Sequence, residues 1–319
     1  MSKSDLHDIT EDGTYLVTGA SGFIGHAVCA RLLELGATVC GVSRREVDFD
    51  STKWTHVGVD LTNADAVDNL FADIRPRFVI HLASCVTGKR EIEWIRQTFA
   101  DNLQCAVNVL VAAQSHGVVK SVLAGSLEEP DSGDTQPVAA SPYAASKLCA
   151  STYARTMHAL YGINTAVARI FMVYGPGQQD LMKLVPYVCI SAARGEAPNL
   201  MSGSRPVDWI YVDDVVDGLI RMAHAGPDDG SYVDLGSGEL VTTGEIAEKI
   251  CSLAGTNVAP RFGVVPDRPM EQVRTADAVA TRLMLGWFPS TDLETGLRNT
   301  FEWYRHVAAE QDAARTSSS

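Results

Sequence analysis

Apolar and polar positions divide the chain into short buried runs and longer amphipathic stretches. Thr14–Thr18 is a compact apolar run and reads as a buried strand. A glycine-rich turn follows, then a helical pattern from Phe23 to Leu35, with Gly36 where a helix C-cap is expected. Thr38–Ser43 is a second strand. Strand, glycine turn, helix and strand within about 30 residues make a βαβ unit, which implies parallel pairing. The alternation continues with strand-like runs at Thr55–Val59, Phe78–Leu82, Ser121–Ala124 and Thr165–Arg169. Helical patterns lie between them at Ala64–Ile74, Thr98–His116 and Tyr143–Tyr161. This predicts an α/β fold with a doubly wound parallel sheet of the Rossmann type over residues 1–172.

After Phe171 the punctuation changes. Gly175-Pro176-Gly177 marks a loop, and later segments mix short helices with turns. Residues 173–319 read mainly as a smaller, interleaved α/β lobe suited to binding substrate. Residues 207–240, a strand, a helix and a strand, are expected to return to the first domain. The tail from Ala308 is expected to fray.

The first turn carries chemistry. Gly19, Ser21, Gly22, Phe23, Ile24 and Gly25 lie in a G-x-x-G-x-x-G turn between strand and helix. Small residues there let backbone N–H groups approach a pyrophosphate at a helix N-terminus. An acidic residue at the end of the second strand would bind a ribose 2′-hydroxyl; here the chain has Ser43, Arg44 and Arg45. Guanidinium groups suit a 2′-phosphate, so the expected cofactor is NADP, with NAD as the alternative. Asp60 and Leu61 follow the third strand and are expected at the adenine. His81, Leu82 and Ala83 end the fourth and are expected to line the pyrophosphate.

A second stretch, Ser141-Pro142-Tyr143-Ala144-Ala145-Ser146-Lys147, puts Tyr143 and Lys147 four apart, on one helix face. A lysine ammonium near a phenol is expected to lower the phenol's pKa and suit it to acid–base work on a carbinol or carbonyl oxygen. Ser126, at the end of the preceding strand, is expected to hold that oxygen.

Composition narrows the classes. With 46% hydrophobic and 20% charged residues the chain is an ordinary globular one. Its net charge of −13 offers no basic footprint for nucleic acid, so no nucleic-acid partner is expected. No apolar run approaches the roughly 18 residues of a membrane span. Met1–Gly13 is polar and acidic, unlike a signal peptide. Seven cysteines without a CxxC pair read as reduced, mostly buried thiols in a cytoplasmic protein. Eight histidines show no HExxH, so no metal is expected. No G-x-S-x-G elbow supports a hydrolase.

Taken with Val173–Gly177 (VYGPG), Asp208–Val216 (DWIYVDDVV) and Leu285–Trp287 (LGW), these motifs resemble the extended short-chain dehydrogenase/reductase family, the nucleotide-sugar epimerases, dehydratases and ketoreductases. The likeness runs over nearly the whole chain. It implies hydride transfer between a nicotinamide and a sugar carbon, usually C4, of a nucleoside-diphosphate sugar. It maps Ser126, Tyr143 and Lys147 onto the family's catalytic set and Asn102 near the nicotinamide ribose. It assigns Arg268 and Arg274 to a substrate diphosphate. Arg205 and Trp209 fall in its substrate segment, where the Arg is displaced by two positions and Trp replaces Phe. A homodimer is implied through the helix at Thr98–His116 and the catalytic helix, with Ala144, Ala145 and Ala150 allowing close approach.

One departure concerns the reaction. The resembling 4,6-dehydratases place an acid and then a Glu after the Ser/Thr; this chain has Leu127 and Glu128. A 4-ketoreductase is therefore the first expectation and a 4-epimerase the second. A dehydratase or decarboxylase using Glu128 is the third. A non-catalytic dinucleotide-binding sensor is the reading from another class.

Overall fold

The structure is a computed structural model, and it describes residues 13–130, 136–255 and 257–317. The polar N-terminal segment, apart from Gly13, thus lies outside the described residues. The chain divides into two compact units.

The first unit comprises the described residues up to Ile170, Val215–Leu235 and Asp277–Phe288. Its core is a seven-stranded parallel sheet. The strands are β1 (Thr14–Thr18), β2 (Thr38–Val42), β3 (Trp54–Val57), β4 (Phe78–His81), β5 (Lys120–Ser126), β6 (Thr165–Ile170) and β9 (Asp229–Leu235). They run in the order β3-β2-β1-β4-β5-β6-β9. The order reverses between β1 and β4, where an open α/β sheet offers a crevice at the strand C-termini. Strands β1, β4, β5 and β6 are buried almost throughout, as expected for strands covered on both faces. The covering helices are α1 (Phe23–Glu34), α2 (Ala64–Ile74), α3 (Trp94–Thr98), α4 (Cys105–Ser115) and α5 (Pro142–Tyr161).

The single helix predicted over Thr98–His116 is instead α3 and α4 joined by a π-helical stretch, Phe99–Gln104. Such widened turns are rare and often mark functional sites. They do not disturb the hydrophobic spacing enough to be read in sequence. By contrast, α2 has the bounds that its periodicity predicts, with Asn63 capping it through Ala66 N.

The second unit comprises Phe171–Asp214, Gly236–Ala276 and the described residues from Pro289. It holds a three-stranded sheet of β7 (Met172–Tyr174), β8 (Pro206–Tyr211) and β10 (Leu240–Thr242), in the order β10-β8-β7. Helices α6 (Leu184–Ala193), α8 (Thr243–Leu253) and α10 (Leu293–Ser317) pack on one another beside it. Asp208 is buried and accepts from Ser237 N (2.6 Å), Ser237 Oγ (2.8 Å), Gly238 N (2.9 Å) and Ala276 N (2.9 Å), pinning two turns to β8.

Residues 207–240 therefore do not all return to the first sheet. β8 pairs with β7 and antiparallel to β10, whereas β9 joins β6. Between them runs α7 (Val212–Ala225). Val207–Tyr211 is buried on both faces, so its apolar run does not say which sheet it enters. The fraying expected from Ala308 is also not seen. α10 extends to Ser317, with Arg194 bonded to Gln311 (2.9 Å) and Asp312 (2.8 Å). α9 (Ala278–Leu285) returns to the first unit, where Thr281 Oγ1 donates to the Asp234 carbonyl at 2.9 Å.

Candidate active site

All the residues expected to bind cofactor or do chemistry on it lie in the first unit, at or just after its strand ends, in the π-helical stretch or on α5. The glycine turn closes tightly on itself: Gly19 N donates to the Val42 carbonyl and Gly22 N to the Gly19 carbonyl, each at 2.8 Å. A Cβ on Gly25 would lie 2.1 Å from the Gly19 carbonyl oxygen, so only glycine lets α1 start this close to the turn. Gly22 is the N-cap of α1. It offers no side-chain cap, and no acidic residue fills the first turn. The helix thus presents N–H groups to a ligand, which fits the diphosphate of a dinucleotide.

At the end of β2 the two arginines are exposed. Arg45 donates to the Ser21 carbonyl at 3.2 Å, beside the glycine turn. Arg44 is close enough to Asp60 for its charge to favour that carboxylate, although the Thr62 backbone and hydroxyl are the larger causes of the lowered Asp60 pKa. Ser43 is buried. Its hydroxyl donates to the Arg45 carbonyl (2.6 Å) and accepts from His56 Nε2 (3.0 Å), so it shapes the strand end. Leu61 is buried in the core, and its carbonyl accepts from Asn108 Nδ2 at 2.9 Å.

Asn102 lies in the π-helical stretch and is 2% exposed. Its Oδ1 accepts from Cys85 N (2.6 Å) and Ser84 Oγ (3.0 Å), and its Nδ2 donates to Ser146 Oγ (2.9 Å) and the Cys85 carbonyl (3.3 Å). Both donors and both lone pairs are used within the protein. Asn102 therefore ties the loop after β4 to helix α5. The periodicity of the segment carried no sign of this.

Ser141 caps α5 through Ala144 N at 3.1 Å, and Pro142 follows in the first turn. Tyr143 and Lys147 then face the end of β5. The Tyr143 side chain lies close enough to the Ser126 hydroxyl for that group to favour its ionised form. Lys147 Nζ lies 5.8 Å from the Tyr143 ring centroid and donates to the Ala124 carbonyl at 2.8 Å. The structure thus brings Ser126, Tyr143 and Lys147 together. The electrostatics differ from expectation. Burial is the largest influence on Tyr143 and pushes the phenol well above its usual range; the Ser126 hydroxyl opposes this, and the charges of Glu128 and Glu129 add to it. Burial also lowers Lys147, to about 8, against an opposing pull from Glu129.

Leu127 is buried, and Glu128 is half-buried with its backbone N–H on Ser126 Oγ at 3.2 Å. Glu129, which sequence reading passed over, is a buried carboxylate beside this set.

The residues expected to meet substrate lie in the second unit. Arg205 pairs with Glu271 at 3.1 Å and donates to the Gln272 carbonyl at 3.1 Å. Trp209 is 6% exposed and donates its indole N–H to the Val241 carbonyl at 2.9 Å, so its polar atom is spent inside the unit. Arg268 is exposed and Arg274 half-exposed.

Comparisons with known proteins agree with this architecture. Residues 15–234 match the NAD dependent epimerase/dehydratase family. The UDP-glucose 4-epimerase of Mycolicibacterium smegmatis is 31% identical over 312 residues, covering 91% of this chain and 98% of that protein. The dTDP-glucose 4,6-dehydratase of Neisseria gonorrhoeae is 29% identical over 330 residues, covering 91% and 94%. Among solved structures, the UDP-glucose 4-epimerase of Thermus thermophilus in complex with NAD superposes with a TM-score of 0.80 at 27% identity, covering 92% of this chain and 99% of that one.

Proposed function

The chain belongs to the NAD-dependent epimerase/dehydratase family, and on that premise we propose that it is a 4-ketoreductase acting on a nucleoside-diphosphate sugar. The observation that carries this reading is the buried Tyr143 beside the buried Ser126, with Lys147 Nζ 5.8 Å from its ring centroid. Reduced nicotinamide, held by the glycine turn and the strand-end residues, would supply the hydride for the C4 carbonyl carbon. Tyr143 gives the proton to the carbonyl oxygen while the Ser126 hydroxyl holds that oxygen. The positive charge of Lys147 eases the loss of the phenolic proton. A phenol that burial keeps protonated is the form a reduction needs. Leu127 supports reduction over dehydration, because it has no proton to give where the resembling dehydratases have an acid.

NADP is the proposed form of the cofactor. Arg44 and Arg45 stand at the end of β2, where a carboxylate would repel a 2′-phosphate. The glycine turn, Asp60, Leu61, Leu82, Ala83 and Lys147 complete the proposed cofactor contacts. Arg205, Trp209, Arg268 and Arg274 are proposed for the substrate, the last two for its diphosphate. A homodimer is proposed through α3, α5 and the π-helical stretch, which expose Ile95, Phe99, Tyr153 and Leu160. Ala144 and Ala150 are buried in the chain's own interior rather than left for a second copy. The seven free cysteines fit a reducing compartment such as the cytoplasm. Among the described residues, no helix is long and apolar enough to cross a membrane.

A 4-epimerase is the second reading, supported by the 31% identical relative of that activity. The test is to add NADPH and 4-keto nucleotide sugars and follow nicotinamide absorbance. Stoichiometric loss of NADPH is expected. A change in sugar stereochemistry with no net loss of reduced cofactor would replace reductase with epimerase. Tight NAD without NADP binding would overturn the cofactor assignment.

A further inference from the structure

Glu129 is a buried carboxylate, 1% exposed, that the proposed reaction does not use. Its Oε1 accepts from Ser126 N at 2.7 Å. Its Oε2 accepts from Ser151 Oγ at 2.9 Å and from Tyr232 Oη at 2.8 Å. These bonds join the end of β5, the catalytic helix α5 and strand β9. Space is reserved for the group: a Cβ on Gly125 would lie 2.7 Å from Glu129 Oε1. Ser151 is one helical turn beyond Lys147, which is one turn beyond Tyr143, so Glu129 is bonded to the same face of α5 that carries the acid–base pair.

A carboxylate this deep needs a reason, since burial of a charge is costly unless it is compensated. Three hydrogen bonds satisfy its oxygens, and the nearby cation of the active site is Lys147, whose ammonium feels the Glu129 charge. We propose that Glu129 is a positioning residue: it fixes Ser126 through its backbone and supplies the negative charge that keeps Lys147 an ammonium behind Tyr143. This rests on the reading of Ser126, Tyr143 and Lys147 as the acid–base set.

Among the described residues, the charged and titratable groups around the pair come from several elements. Tyr143 and Arg155 come from α5, Glu128 from the turn after β5, and His81 from the end of β4. Cys85 follows in the next loop, Arg169 comes from β6, and Tyr232 and Asp234 from β9. His81 is held neutral by burial. Arg169 is paired with Asp234 at 3.2 Å and stacks on Tyr232 at 4.1 Å. None of these replaces Glu129 as an anion bonded to both β5 and α5.

The test is the titration of Lys147 itself, which needs no substrate. Protein labelled with 13C-lysine is titrated by NMR, with Lys147→Met to assign the Cε signal. Glu129→Gln keeps the shape and an acceptor for Ser126 N while removing the charge. Its Lys147 midpoint is expected to fall by about one pH unit or more, because loss of an anion in a buried site destabilises the ammonium. Tyr232→Phe removes one hydrogen bond and no charge, and is expected to leave the midpoint in place while lowering thermal stability. Equal midpoints in wild type and Glu129→Gln would overturn the proposal. Equal falls in Glu129→Gln and Tyr232→Phe would also overturn it, by making the role purely structural. A different reaction in the turnover assay would overturn the functional reading but leave this titration to stand or fall alone.

Discussion

The Thr18 hydroxyl gives its proton to His81 Nδ1 at 2.8 Å, because its own lone pairs are taken by the backbone N–H groups of Leu82 and Ala83, both at 3.1 Å. One side chain thus sets the tautomer of a buried histidine, leaving its proton on Nε2, and anchors the segment after β4 to β1. Thr18→Val keeps the shape and strands two polar groups, His81 Nδ1 and Ala83 N, because Leu82 N still reaches the Thr18 carbonyl at 3.2 Å. We expect it to lower stability by about 2–4 kcal/mol in denaturant melts, since each buried group left unpaired costs about 1–3 kcal/mol. Thr18→Ser should lose much less. Equal losses in the two variants would mean that the methyl, not the hydroxyl, matters.

His81 also makes stability depend on pH. Burial first, and then the charge of Lys147, lowers its pKa from 6.5 to about 3. The folded protein therefore holds His81 neutral while the unfolded chain takes up a proton below pH 6.5. Stability is full above that value and falls as pH drops toward 3, by at most about 1.4 kcal/mol per pH unit from this group. His224, bonded to Tyr15 at 2.5 Å and lowered to about 4 by burial, acts in the same direction. Urea melts between pH 7 and 4.5 should show a shallower slope for His81→Asn than for wild type. Parallel slopes would refute the assignment.

Tyr143→Phe is expected to lower kcat by about 10²–10⁴-fold, the usual contribution of a positioned acid. Cofactor affinity measured by fluorescence titration should change little. Ser126→Ala removes the hydroxyl beside Tyr143 and should cost about 10-fold to 10³-fold in kcat. A Tyr143→Phe variant with normal turnover would remove Tyr143 from the acid–base role, whereas one that lost turnover but kept every cellular role would favour the non-catalytic sensor.

Gly25→Ala tests the cradle without touching a polar group. The added methyl meets the Gly19 carbonyl at 2.1 Å, so α1 must shift outward. We expect dinucleotide affinity to fall by about tenfold or more and stability by about 1–3 kcal/mol, the range for overpacking a close contact. Calorimetric titration with NADP and with NAD measures the first effect. Unchanged affinity for both would show that the turn does not face the ligand.

How much of this could be read before the structure depends on the range of the interactions. The βαβ alternation, the glycine turn and the four-residue spacing of Tyr143 and Lys147 are local, and period and spacing report them directly. The partners of Glu129 come from α5 and from β9, so its carboxylate looked like any charge in a polar turn. Asn102 was read by resemblance as a ribose contact, whereas all four of its hydrogen-bonding positions are spent on the loop after β4 and on Ser146. Trp209 stood in the substrate segment, yet its N–H is satisfied across β8 and β10 by a pairing that no local pattern encodes. The expectation for the Tyr143 pKa erred in physics rather than in geometry. It counted the charge of Lys147 and left out the loss of water around the phenol, which is the larger effect.

The first unit is stitched from three stretches of chain, and this bears on the order in which a ribosome could complete it. When Ile170 has emerged, β6 is an open edge of apolar residues, and residues 171–214 must follow before β9 can cover it. Until then Glu129 lacks Tyr232, and Arg169 lacks Asp234. The nascent Rossmann half therefore carries a buried-to-be carboxylate and an unpaired guanidinium, and α5 gains its full support only with the late arrival of β9, a strand that holds none of the proposed catalytic residues. Cutting the chain after Ile170 would leave every proposed cofactor-binding motif intact while removing the strand that supports Glu129 beside the proposed acid–base pair.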